Sequence, residues 1–121
     1  VVNPLTLRGQ LHGSIAQGLG EATIEQILYE RKSGQLITGS FMDYGMPRAD
    51  MMPDIVSEES LVPSTNNLLG VKGGSEAGNC GMPSAIIIAA LDALLPLGVK
   101  DISIPATPQK VWRAIQDARE S

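Results

Sequence analysis

What this sequence has little of narrows its chemistry first. It contains one cysteine, Cys80, in 121 residues. No internal disulfide can form, and no CxxC pair or Cys/His cluster is present to ligate zinc or an iron–sulfur cluster. Aromatic residues make up 3% of the chain, namely Tyr29, Phe41, Tyr44 and Trp112. A core must therefore come from Leu, Ile, Val, Ala and Met. Positive charge is short as well: 9 Lys and Arg stand against 13 Asp and Glu, a net charge of −4. No basic stripe exists to neutralise phosphates, which excludes nucleic acid and disfavours membrane surfaces as partners. The longest apolar run, Ala85–Leu97, is broken by Asp92 and is too short to span a bilayer. The chain opens without an initiator methionine or a charged-then-apolar leader pattern. The expectations are a reducing, cytoplasmic setting and a chain that begins in mid-domain, as a fragment or as one chain of a larger assembly.

What is present reads as globular. With 43% hydrophobic and 18% charged residues the composition is ordinary. The length suits one domain, 1–121, that buries about two-thirds of its unfolded surface. Leu7–Ile27 has helical spacing through Leu11, Ile15, Leu19, Ala22 and Ile27, and it keeps Gly13, Gly18 and Gly20. Each of these costs up to ~1 kcal/mol against Ala. Such a helix lets another backbone or a ligand come close, with helix–helix packing the ordinary explanation. Ile27–Glu30 and Gln35–Thr38 flank the turn Arg31–Gly34 as a β-hairpin. Gly39–Pro53 is an ordered loop, Asp54–Glu59 a strand and Leu61–Asn67 a polar connection. Pro83–Leu95 is apolar nearly all round, so it is expected to be a buried helix, with Gly98 as its stop. Ile102–Ile104 is a short strand. Thr107 caps a last helix, Pro108–Ala118, with Val111, Trp112 and Ile115 on its apolar face.

Three constellations could carry chemistry. Gly70–Gly81, GVKGGSEAGNCG, holds five glycines before a helix start, so its N–H groups and the positive helix end form an anion-friendly cradle. A P-loop would end in GK[ST], and here Lys72 precedes the glycines; a dinucleotide fingerprint also fails on spacing. Glu76, the loop's one acid, is a candidate general base, against the ordinary reading of a solvated or capping carboxylate. In Arg8–Gly20, the side chains of Gln10, His12 and Gln17 could meet a ligand's heteroatoms, or be merely structural and solvated. In Phe41–Asp50, Asp43 and Arg48 could simply pair on a packed loop. Cys80 and Trp112 are read as packing residues.

Taken together, VVNPLTLRGQLHGSIAQGLGEA, GQLITGSFMDYGMPRADMMP and LLGVKGGSEAGNCGMPSAIIIAALDAL resemble the C-terminal part of the molybdopterin-binding subunit of the xanthine dehydrogenase/aldehyde oxidase family. That family includes the aerobic carbon monoxide dehydrogenases. The pattern NP-x(4)-GQ-x-HGG-x-AQG-x-G is met from Asn3 to Gly20, with Ser14 in place of its second glycine. TGSFMDYxMPRAD is met from Thr38 to Asp50, and KGxGEAG from Lys72 to Gly78, with Ser75 where a glycine is usual. Ser75 costs about 1 kcal/mol or more if that position needs positive φ. Ile88 stands where the family helix usually has Asn.

The resemblance implies an α+β fold, the C-terminal subdomain of a molybdenum cofactor-binding domain, with a short mixed sheet packed with about three helices. It implies hydroxylation of an aldehyde or N-heterocycle with oxygen from water. Glu76 would serve as general base, and Gln10, Lys72, Gly73, Gly74 and Ser75 would lie at a molybdenum–molybdopterin cofactor, in its cytosine dinucleotide form in a bacterium. The metal takes no ligand from this chain. The implied partners are the remainder of the subunit, iron–sulfur and FAD subunits or domains, and a small-molecule substrate. The chain alone is expected to lack cofactor and to be inactive. The alternative is a non-catalytic stand-alone or partner-binding domain derived from this family.

Overall fold

The computed structural model describes residues 1–120. Three helices dominate: α1 over Pro4–Thr23, α2 over Met82–Leu94 and α3 over Pro108–Glu120. α1 begins three residues before the expected Leu7 because Asn3 caps it. Asn3 Oδ1 accepts from the N–H groups of Leu5 (3.0 Å) and Thr6 (3.2 Å), and Pro4 takes a first-turn position where no N–H is needed. It stops short of Ile27 because the N–H groups of Ile24 and Glu25 both fold back onto the Gly20 carbonyl.

α2 and α3 lie within two residues of their expected bounds. A 3₁₀ turn, Leu95–Leu97, prolongs α2, and Gly98 at φ +87° ends it in the left-handed region that a side chain resists. Thr107 caps α3 as expected, its Oγ1 accepting from the Lys110 N–H at 3.3 Å. Among the described residues no helix is long and apolar enough to cross a membrane.

The core lies between the end of α2, the segment after it and α3. Leu94, Val99, Ile102 and Ala106 are buried there, with Ile87, Leu91, Val111, Ala114, Ile115 and Ala118 packed around them. α1 joins through fully buried Ala22, whose carbonyl accepts from the Ala106 N–H at 2.6 Å. It crosses the start of α2 at Gly18, where an added Cβ would stand 2.6 Å from Met82 Cβ. Close backbone approach, inferred from the glycines of this helix, thus holds at Gly18. At Gly13 nothing lies within 4 Å of an added Cβ.

Several expectations fail for one physical reason. The mixed sheet does not form among the described residues. Of the hairpin, a single antiparallel bridge, Tyr29–Leu36, remains. It is closed by the Glu30 N–H on the Gln35 carbonyl and the Ile37 N–H on the Leu28 carbonyl, both at 2.8 Å. Asp54–Glu59 and Ile102–Ile104 are not strands, because a strand needs a neighbour and neither segment has one. α2 is not a buried helix: one side packs on α1 and on the core, while Ile88 is 67% exposed. Trp112, expected on the packed face of α3, is 61% exposed. It falls outside the 111–114–115–118 stripe that meets the core.

The accessible surface is 9251 Å², whereas a compact monomer of this length exposes about 6,300 Å². The chain buries about half of its unfolded surface and not the expected two-thirds. Phe41, Met42, Val56, Leu68 and Leu69 stand almost fully in solvent. What the expected strands lack among the described residues is a hydrogen-bonding neighbour, and what the outer side of α2 lacks is a packing partner.

Candidate functional site

The glycine-rich loop is anchored at both ends. Gly70, at φ +64°, turns the chain, and the Asn67 side chain brackets the turn. Its Oδ1 accepts from the Val71 N–H (3.0 Å) and its Nδ2 donates to the Val71 carbonyl (2.9 Å). Downstream, the N–H groups of Asn79 and Cys80 donate to the Glu76 carbonyl (3.1 and 3.3 Å), and that of Met82 donates to Asn79 (3.2 Å). This winds the chain into α2.

The Gly78 N–H points the other way. It donates to Ser14 Oγ of α1 at 3.1 Å, and that hydroxyl donates to the Leu11 carbonyl, also at 3.1 Å. A side chain at Gly78 would collide with this bridge, since an added Cβ would stand 2.9 Å from the Leu11 carbonyl oxygen. Ser75 carries no strain, because no residue other than glycine has positive φ among the described residues.

Between those anchors the backbone donors are idle. Among the described residues nothing accepts from the N–H groups of Lys72, Gly73, Gly74, Ser75 or Glu76. Backbone donors are normally paired or wetted, so five in a row form a surface prepared for acceptor atoms. The cradle differs from expectation in one respect. The turn 77–80 separates these donors from α2, whose first N–H, that of Met82, donates to the Asn79 carbonyl.

The loop and α1 enclose a groove of about 420 Å³, with Gln10, Lys72, Gly73 and Gly74 on its wall and Leu61–Pro63 opposite. That volume is within the range of about 300–1,000 Å³ typical of small-molecule sites. Four of the six candidate residues are thus brought together. Ser75 and Glu76 follow directly, outside the lining, and both are exposed. The Glu76 carboxylate makes no hydrogen bond or ion pair among the described residues. It is therefore open to a ligand and not engaged as a cap.

The other constellations resolve differently. His12 lies on a separate groove of about 520 Å³ with Arg8, Met52 and Ile55, and its buried Nε2 has no partner among the described residues. Gln17 is exposed. Asp43 and Arg48 do not pair: Asp43 accepts from Ser40 Oγ (2.7 Å), and Arg48 meets Asp50 (3.5 Å). Tyr44 instead holds its loop to the end of α1, donating to Glu25 Oε2 at 2.5 Å, and that carboxylate raises the pKa of the phenol. Sequence reasoning overlooked Ser14 as a contact. Its one signal was a hydroxyl at a place where the motif has glycine.

Comparison with known proteins adds the following. Residues 1–53 match the model of the molybdopterin cofactor-binding domain family. The chain is 40% identical over 114 residues to the nicotine 6-hydroxylase large subunit of Paenarthrobacter nicotinovorans, covering 94% of this chain and 14% of that protein. It is 30% identical over 115 residues to the xanthine dehydrogenase molybdenum-binding subunit of Escherichia coli O157:H7, covering 93% and 14%. Among solved structures it superimposes on quinoline 2-oxidoreductase from Pseudomonas putida 86 with a TM-score of 0.89 and 36% identity, over 98% of this chain and 15% of that one. The chain spans about one-seventh of the length of these relatives.

Proposed function

Because this chain belongs to the molybdopterin-binding large-subunit family of the xanthine dehydrogenases, aldehyde oxidases and aerobic carbon monoxide dehydrogenases, we propose that it is the C-terminal cofactor-binding segment of a molybdenum hydroxylase. Its substrate is an aldehyde or N-heterocycle, its oxygen source is water, and Glu76 is its general base. The observation that carries the reading is the run of five unpaired N–H groups, 72–76, beside the groove lined by Gln10.

The residues present fit the cofactor. Nothing lies within 4 Å of where a Cβ of Gly73 would stand, and its N–H has no acceptor among the described residues, which leaves room for a planar ring or a phosphate at this point of the loop. Gln10 offers one amide donor and one acceptor to a pterin edge, and the Lys72 ammonium offsets anionic groups. When bound, the cofactor supplies the oxidation–reduction chemistry. The chain supplies placement and proton transfer. The Lys72–Ser75 backbone and Gln10 orient the pterin. The Glu76 carboxylate, which has no competing partner among the described residues, would accept the proton that water gives up as its oxygen passes to the substrate carbon.

The chain spans about one-seventh of the length of its relatives, which supports a larger subunit around it. The rest of the large subunit packs on Ile88, Val56 and Leu68 and supplies strands for Asp54–Glu59 and Ile102–Ile104, completing a mixed sheet. Iron–sulfur and FAD partners carry electrons away, the cofactor is the cytosine dinucleotide form in a bacterial enzyme, and the setting is cytoplasmic. The exposed surface of 9251 Å² supports this over a free-standing module.

Gly73→Val tests the groove. Nothing in this chain lies within 4 Å of an added Cβ, so the melting temperature of the cofactor-free complete enzyme is expected to stay unchanged. Filling the groove costs binding about 1–3 kcal/mol, and molybdenum and pterin content fall about tenfold at limiting cofactor. Full content in the variant would place the cofactor elsewhere.

A further inference from the structure

We infer that Ser14 is a positioning residue whose hydroxyl fixes the turn bearing Glu76 against α1. The inference rests on the reading of Glu76 as the base and adds what holds that base in place.

Ser14 is 7% exposed, and it is the one buried polar side chain among the described residues. Its Oγ uses both of its functions at once, donating to the Leu11 carbonyl and accepting from the Gly78 N–H across 64 positions of sequence. Among the described residues no other N–H within 72–78 is held from outside the loop: 72–76 have no acceptor, and that of Ala77 closes on the Gly74 carbonyl at 3.4 Å. The loop contains Gly73, Gly74 and Gly78, whose backbones are the least constrained of any residue. Its one fixed hydrogen bond to α1 therefore lies two residues beyond Glu76.

The same helix carries Gln10, one turn before Ser14, on the groove wall. The hydroxyl thus sets the distance between the proton acceptor and the wall that would orient the cofactor. Proton transfer requires reach to within a few tenths of an ångström, and small displacements cost rate more than binding.

Two substitutions in the complete enzyme separate this role from a general structural one. Ser14→Ala improves helix propensity and Ser14→Gly weakens it, yet both remove the hydroxyl. We expect both to accelerate hydrogen exchange of the Gly78 amide about tenfold, the effect of freeing one part-buried donor, while exchange along α1 slows in the first and quickens in the second. In both, kcat falls about tenfold with KM unchanged, as for an interaction needed only at the transition state. Unaltered Gly78 exchange in the alanine variant overturns the inference. So does faster exchange with unaltered kcat, which would make the bridge mere packing. Exchange is read without turnover. If Glu76→Gln leaves kcat intact, the base assignment has failed, and the Gly78 result still decides whether the hydroxyl holds the turn.

Discussion

Replacing Glu76 by Gln in the complete, cofactor-loaded enzyme will lower kcat by about 10²–10⁴-fold, the usual contribution of a positioned general base. The substitution is close to isosteric and removes only the ability to take a proton. Glu76 is exposed, and its carboxylate has no partner among the described residues, so neither folding nor the loop hydrogen bonds depend on its charge. Its carbonyl, which accepts from Asn79 and Cys80, is untouched. KM and molybdenum content should therefore stay at the parent values, and the loss should fall on kcat alone. Turnover within a few-fold of the parent at equal metal content would remove Glu76 from the reaction.

The second large effect concerns stability. Leu94 is 9% exposed and belongs to a core cluster whose buried members among the described residues are Leu94, Val99, Ile102 and Ala106. Truncating such a leucine costs about 2–5 kcal/mol. An ordinary domain has about 5–15 kcal/mol in total, and this chain leaves far more surface exposed than a compact monomer does. Leu94→Ala is thus expected to abolish cooperative melting of this chain taken alone, as followed by far-ultraviolet circular dichroism. If, as proposed, the rest of the subunit covers the other side of α2 in the complete enzyme, the same change should lower its melting temperature by only a few degrees. A cooperative transition surviving in the isolated variant would mean that the core extends beyond these residues.

The helices were legible because their signals are local. Pro83 and Gly98 bound α2, Thr107 begins α3, and the capping interactions span three residues or fewer. The Asn3 cap is equally local, and it starts α1 three residues before the position that apolar spacing predicts. Strands and burial were not legible, because they depend on neighbours. Asp54–Glu59 has β-forming residues and Ile88 is as apolar as any core residue, yet among the described residues the first pairs with no strand and the second is 67% exposed. The apolar pattern of α2 describes what it prefers to contact, and that contact is not supplied here.

The site divides along the same line. Glycine spacing located the loop and its acid, and the structure gathers Gln10 with Lys72–Gly74 on one groove. The Ser14–Gly78 bond joins residues far apart in sequence, so it became visible only once α1 and the loop were in contact.

The proposed function requires that Lys72–Glu76 face the cofactor. Amide hydrogen exchange across residues 72–76, compared between cofactor-free and cofactor-loaded complete enzyme, reads this directly. Free donors that acquire acceptors become protected, so loading should slow exchange in this segment at least tenfold and leave the distant turn Glu30–Gly34 unaffected. Equal exchange in the two forms would contradict the assignment of the loop as the cofactor's seat.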